Sequence, residues 1–162
     1  FTDWLLNLIP QRIESVTGIM QKRYWHQSSN EDYAKAIVRF ENGTTAEIEQ
    51  GTLAAVPKPV WRILGTTGGI EVAGLNGPAK VTRMIDGVRH DSSVDFPNSR
   101  GINYYQNVAN HLFYDEPLIV SPDEARRVIG AIHLAEQSAA QGGKPLPLPG
   151  EEAFTPRVKY PI

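Results

Sequence analysis

The side chains that could do chemistry in this sequence are few and dispersed. Asp3 is a carboxylate in an otherwise apolar first turn, Phe1-Thr2-Asp3-Trp4-Leu5-Leu6. An acid there stabilises the positive end of a helix, and one beside an indole is also a candidate acid, base or hydroxyl anchor. Trp25-His26 and Tyr104-Tyr105 pair flat rings with polar tips. Such pairs line sugar clefts, and they serve equally in core and rim packing. Trp25, His26 and Tyr104 are therefore the candidate substrate-binding residues. The four histidines, His26, His90, His111 and His133, show no H-x-x-x-H or related spacing, so no metal site is expected. No G-x-S-x-G elbow is present, and Ser121-x-x-Glu124 is explained by helix capping. Asp123 and Glu124 suit a first helical turn, and Arg126 and Arg127 read as a solvated face.

One glycine cluster invites a phosphate-loop reading. Trp61 to Val72, W-R-I-L-G-T-T-G-G-I-E-V, holds Gly65, Gly68 and Gly69 between two β-prone runs. A dinucleotide fingerprint needs G-x-G-x-x-G opening a helix, and a phosphate loop needs G-x-x-x-x-G-K-[ST]. Neither spacing occurs, and the residues after the glycines are β-branched. The stretch reads as a hairpin whose glycines supply φ > 0 at a sharp turn, with no cofactor-binding residues.

The elements that must hold these residues follow from periodicity and punctuation. Thr2 is positioned to cap a short helix that Pro10 stops. Ile13–Arg23 reads as a strand, and the polar run 25–32 as a loop. Tyr33–Phe40 alternates, with Ala34, Ala36, Val38 and Phe40 on one side and Tyr33, Lys35, Ile37 and Arg39 on the other. Asn42-Gly43 signals a type I′ hairpin. A strict two-residue loop pairs Phe40 with Thr45 and puts Ala46 and Ile48 on the face of Ile37. Either a bulge restores the register, or both faces are partly apolar and Ile37 and Ile48 have something left to bury.

Pro57 and Pro59 interrupt the chain before the glycine hairpin. Lys80–Ile85 and Val88–Val94 form another hairpin about Asp86-Gly87. Asn98-Ser99-Arg100-Gly101 leads into a helix, Ile102–Phe113, with Ile102, Tyr105, Val108, Ala109 and Leu112 as its apolar stripe. Ser121-Pro122-Asp123-Glu124 is a strong helix start. The face that follows is Ala125, Val128, Ile129, Ile132, Ala135 and Ala139, and Gly142 and Gly143 end the helix. Segregated strands and helices predict an α+β fold, an open and mostly antiparallel sheet with helices packed on one face. The 162 residues are read as a single domain, with 145–162 an extended, proline-punctuated tail.

The bulk properties narrow the partners. A formal net charge of −2 and a balance of 16 basic to 18 acidic residues give no footprint for nucleic acid or an anionic membrane. No apolar run approaches the roughly 20 residues that span a bilayer. Zero cysteines exclude disulfides, thiolate metal sites and Cys nucleophiles, and are compatible with the cytoplasm, the compartment expected. With no initiator Met and a helix from the start, the chain reads as beginning inside a larger protein, so a missing leader carries no information.

As a set, the residues resemble the C-terminal domain of the Gfo/Idh/MocA oxidoreductases, the glucose–fructose oxidoreductase and inositol dehydrogenase family. The resemblance rests on four ordered stretches spanning nearly the whole chain: Arg39-Phe40-Glu41-Asn42-Gly43-Thr44, Arg62 to Val72, Pro117 to Ala125, and Ala135 to Ala139 with Gly142 to Leu146. It implies the substrate-binding and oligomerisation half of an NAD(P)-dependent enzyme acting on a sugar, polyol or similar hydroxyl compound. NAD or NADP would belong to a Rossmann domain outside this chain, leaving this fragment inactive alone and binding none. The family's junction motif G-x-H-x-x-D would end at Asp3, its Gly and His preceding Phe1, and this makes Asp3 the candidate catalytic residue. The resemblance also implies a homo-oligomer formed through the sheet face. A non-catalytic self-association or binding module, and an NAD-dependent glycosidase half, are the alternative readings.

Overall fold

The structure is a computed structural model that describes residues 1–96 and 104–155. The expected helix lead-in at 98–101, the start of the second helix at Ile102, and Pro156 and Pro161 of the tail lie outside them. The fold is α+β with open antiparallel sheets, as the segregation of elements predicts. Among the described residues, seven strands divide between a three-stranded and a four-stranded sheet. By contacts the chain forms two compact units, Phe1–Leu53 with Tyr104–Ile162, and Ala54–Asn103. Among the described residues no helix is long and apolar enough to cross a membrane.

The first unit holds helix α1 (Thr2–Leu8), strands β1 (Ile13–Gln21), β2 (Tyr33–Phe40) and β3 (Thr45–Gly51), helix α2 (Tyr104–Tyr114) and helix α3 (Pro122–Ala140). The β2–β3 turn departs from the type I′ expectation. Arg39 pairs with Thr45 and Val38 with Ala46, so three residues, Glu41 to Gly43, make the loop. Gly43 alone takes the left-handed conformation, at φ 85°, and Asn42 does not. The extra residue restores the register. Ala46 and Ile48 share the face of Ala36 and Val38, and Ile37 stands opposite Glu47 on the other. That other face is polar, with Lys35 paired to Glu47 at 2.8 Å, so Ile37 and Ile48 form no common apolar surface.

The core lies between the apolar sheet face and α3. Val16, Val38 and Phe40 are fully buried there, beside Ile13, Leu134 and Ala135. At Gly18 the helix comes so close that a Cβ would sit 1.8 Å from the Ala135 carbonyl oxygen. The Gly18 N–H donates to Ser138 Oγ, which in turn donates to the Lys144 carbonyl (2.9 and 2.7 Å). Leu146 exchanges two backbone hydrogen bonds with Val16, and Leu148 and Glu151 are buried beyond it. The segment after α3 therefore continues the core along the outer edge of β1.

Three helix expectations need correction. Thr2 lies inside α1; Phe1 is the N-cap residue, and no side chain caps the helix. On α3 the buried positions are Arg127, Ala131, Leu134, Ala135 and Ser138, while Ala125, Ile129 and Ile132 face outward. Two polar residues, Arg127 and Ser138, find buried partners, and this rotates the inward face away from the more hydrophobic one. On α2 the only buried residue is Asn107, and Tyr105 and Leu112 are exposed. Asn107 ties down the following loop, donating to Glu116 Oε1 and the Pro117 carbonyl and accepting from the Ile119 N–H. The capping box of Ser121 and Glu124 forms as the sequence predicts.

The second unit is one meander of β4 (Trp61–Gly65), β5 (Gly68–Val72), β6 (Ala79–Ile85) and β7 (Val88–Val94). The glycine hairpin is present, but its turn is only Thr66-Thr67, with Gly65 paired to Gly68 inside the strands. None of Gly65, Gly68 or Gly69 has a positive φ. Close approach demands glycine here instead: a Cβ on Gly68 would lie 2.1 Å from the Thr82 carbonyl oxygen. Asp86-Gly87 does form a two-residue turn with both φ values positive, 51° and 77°, the I′ geometry read from its sequence.

Candidate functional site

Asp3 is placed by α1, which leads into β1 and touches α3. Its carboxylate accepts from Asn7 Nδ2 at 3.1 Å, one turn along the helix, and the same nitrogen reaches the Asp3 carbonyl at 3.0 Å. The spacing i, i+4 lets these two side chains meet. Asp3 borders a cavity of about 210 Å³ within the first unit, lined also by Asn7, Ser121, Asp123, Arg126 and Phe154. Arg126 donates across its rim to the Pro149 and Gly150 carbonyls (2.8 and 3.3 Å), and a Cβ on Gly150, at φ 78°, would press on that guanidinium. The cavity thus combines one oriented carboxylate, an apolar wall of Leu6, Val128 and Phe154, and hydrogen-bonding groups of both kinds.

Behind the cavity lies a group that sequence reasoning assigned to solvent. Arg127 is 2% exposed and Glu151 5%. Arg127 Nε and Nη2 donate to the two carboxylate oxygens at 2.7 and 3.0 Å, a bidentate pairing. Nη2 also reaches the Gln11 carbonyl, Glu151 Oε2 accepts the Ile13 N–H, and Phe154 lies 3.5 Å beneath the guanidinium. Burial of a charged pair is tolerated only when further hydrogen bonds support it, and here a carbonyl, a backbone N–H and a ring face do so. The pair joins α3, the α1–β1 connection and the C-terminal segment, and so sets the cavity's back wall. Helical spacing carried the signal: Arg127 lies four, seven, eight and eleven residues before the other buried positions of α3.

Trp25 and His26 sit in the β1–β2 loop, and Tyr104 opens α2 with its ring edge-on to Tyr105 at 5.5 Å. None of the three lines the cavity beside Asp3. The loop is organised by Asp32, a residue that the sequence did not single out. The buried Asp32 carboxylate accepts the N–H groups of Arg23 and Tyr24 at 2.6 Å each and of Trp25 at 3.3 Å. The Tyr24 N–H is the largest influence holding this carboxyl below its ordinary range. Desolvation opposes it, and the Arg23 and Trp25 N–H groups and the charge of His26 add to it. The Asp32 backbone closes the loop, its N–H donating to the Gln21 carbonyl and its own carbonyl accepting from Thr52 N and Oγ1. The signal available was an aspartate following a polar run, where side chains commonly bond nearby backbone.

Comparison with known proteins bears on the fold. The model for the GFO/IDH/MocA C-terminal domain matches residues 1–71. Among solved structures, the chain is similar to an NAD-binding protein from Listeria innocua, with 22% identity and a TM-score of 0.78 over 93% of this chain and 46% of that one. It is also similar to the UDP-N-acetylglucosamine 3-dehydrogenase GnnA from Acidithiobacillus ferrooxidans, with 19% identity and a TM-score of 0.67 over 86% and 46%. At these identities the likeness is one of fold, and the chain spans about half the length of the structures it matches. No curated protein sequence matches it.

Proposed function

We propose that this chain, recognised over residues 1–71 as a GFO/IDH/MocA C-terminal domain, is the substrate-binding and self-associating half of an NAD(P)-dependent oxidoreductase. Its substrate is a sugar, polyol or similar hydroxyl compound, and its compartment the cytoplasm. The observation that carries the reading is Asp3, a carboxylate oriented by Asn7 at the edge of a cavity of about 210 Å³. There it orients a substrate hydroxyl or the groups that take its proton, while hydride passes to a nicotinamide held elsewhere. The two similar structures support the class: one is described as NAD-binding, and the other as a dehydrogenase of a nucleotide sugar. Trp25, His26 and Tyr104 remain proposed substrate contacts, presented from a loop and a helix start separate from the Asp3 cavity.

The glycine cluster does not fit a dinucleotide. Gly65, Gly68 and Gly69 lie in paired strands that lead into further strands, so they offer no ring of N–H groups at a helix start. Nicotinamide binding is therefore assigned to the rest of the full-length protein. Calorimetric titration of NAD or NADP into this chain is expected to give no saturable heat. For the reaction itself, the full-length protein is offered sugars and polyols with each nucleotide while reduced nicotinamide is followed. Turnover is expected, and Asp3→Asn is expected to lower kcat about 100-fold, the scale of one proton-transfer or orienting group. An Asp3→Asn protein with unchanged kcat and KM would falsify the assignment of Asp3.

A second reading, a self-association module without chemistry, is favoured by the four-stranded sheet. Its pairings put Ile63, Ile70, Val72, Val81, Ile85, Val88 and Val94 on one face, and Ile63, Ile85, Val88 and Val94 are 38–57% exposed. Both readings need that face. A full-length protein that oligomerises but turns over no hydroxyl compound with either nucleotide leaves the module alone standing.

A further inference from the structure

We propose that the loop of residues 22–32 is a preformed platform for a phosphorylated ring, a sugar phosphate or a nucleoside diphosphate sugar. The inference names a substrate class for Trp25 and His26 and rests on their reading as substrate contacts. Three observations carry it. The loop is held in place, because one buried carboxylate gathers three successive backbone N–H groups and the Asp32 backbone is tied to Gln21 and Thr52. Ordering a loop before a ligand arrives removes that cost from binding. The loop also displays rings that do not serve the core. Tyr24 and Trp25 meet edge-on at 5.9 Å and are 68% and 36% exposed, with His26 exposed beside them. Exposed aromatic faces on a fixed loop stack against sugar and base rings.

Charge supplies the third observation. Lys22 donates to the Ser28 carbonyl and Arg23 Nε to Gln21 Oε1, both neutral oxygens, and among the described residues neither cation pairs with a carboxylate. The Asp32 carboxylate has its oxygens turned onto backbone N–H groups, which leaves Glu31 as the loop's exposed acid. Two uncompensated cations and an imidazole beside two rings complement a phosphate joined to a ring better than a neutral sugar.

The test is an NMR titration of the chain with UDP-N-acetylglucosamine, UDP, glucose 6-phosphate, N-acetylglucosamine and glucose, reading the Trp25 indole and the amides of residues 22–28. Saturable shifts are expected with phosphorylated probes, and affinities at least about tenfold weaker with the neutral sugars, the worth of one charge-assisted hydrogen bond. A preference for UDP compounds identifies a nucleotide sugar, and a preference for glucose 6-phosphate a sugar phosphate. Arg23→Ala and Trp25→Ala are each expected to weaken binding about tenfold with circular dichroism unchanged. Asp32→Asn keeps the side-chain volume and tests the loop's order. It is expected to weaken binding and to broaden the 22–28 amides while the strand signals stay in place. Silence of the loop with every probe at millimolar concentration, equal affinity for glucose and its phosphate, or an Arg23→Ala chain that binds as before overturns the proposal. An inactive full-length protein whose loop still binds defeats the oxidoreductase reading alone. An active one with a silent loop defeats only this inference.

Discussion

Arg127 and Glu151 illustrate how a buried charge is kept: two parallel hydrogen bonds between the partners, a carbonyl for a third guanidinium proton, a backbone N–H for a further carboxylate lone pair, and a ring below. Removing one partner leaves the other desolvated and unmatched. Glu151→Ala is expected to lower stability by about 3–5 kcal/mol in urea denaturation, whereas Arg127→Met with Glu151→Gln is expected to lose much less. Equal losses for the single and double variants would contradict this account. Asp32 makes a different prediction, in pH. Its folded pKa lies below the unfolded value of about 3.9, so the unfolded chain binds the proton more readily. The stabilisation is complete above that unfolded value and fades as pH falls through the lower folded one. Wild type is therefore expected to exceed Asp32→Asn in Tm by a constant margin above about pH 5, and the margin to shrink in more acidic buffer. A margin that grew on acidification would reverse the sign and remove Asp32 as the organiser.

At the scale of elements, the tightest joint is α3 on β1. Gly18→Ala places a methyl 1.8 Å from a backbone carbonyl, which no rotamer change relieves. The helix must shift, and a loss of about 3 kcal/mol is expected by thermal or urea unfolding. Gly74→Ala, with open space about its Cβ and no positive φ, is the control and is expected to change stability by less than about 1 kcal/mol. The two hairpins show what sequence reveals of such elements. Asp86-Gly87 formed the two-residue turn its dipeptide favours, while Asn42-Gly43 accepted a third residue. In the second case burial decided, because only the longer loop turns Ala46 and Ile48 toward the core with Val38. Element types and order were legible because they follow from periodicity and breakers. The inward faces of α2 and α3 were not, because Asn107, Arg127 and Ser138 are buried through partners distant in sequence. Asp3 was legible as an isolated acid, but Asp32 became visible only once its three N–H donors were in place.

For the molecule as a whole, the decisive surface is the four-stranded sheet, whose two faces differ in kind. One carries Ile63, Ile70, Val81, Ile85, Val88 and Val94, with Arg83 and His90 as a polar row between Val81 and Ile85; the other carries Arg62, Glu71, Lys80, Arg89 and Asp91, with Leu64 and Met84 among them. On the charged face Arg89 and Thr82 Oγ1 both bind Asp91 (3.0 and 2.6 Å), so that this ion pair is already satisfied within the sheet. Exposed apolar side chains gathered on one face favour association, and a second copy offers a matching face about a twofold axis. Ile85 and Met84 make a controlled comparison, because they are neighbours, equally exposed at 48%, and on opposite faces. If the apolar face joins two copies, Ile85→Glu buries a charge at the joint and shifts the sedimentation coefficient to that of a monomer. Met84→Glu adds the same charge to the opposite face and leaves the oligomer intact. Ile70→Glu, farther from the Asp86-Gly87 turn, is expected to repeat the Ile85 result without disturbing that hairpin. A wild-type chain that sediments as a monomer at all concentrations rejects the interface, and dissociation by Met84→Glu alone transfers it to the charged face.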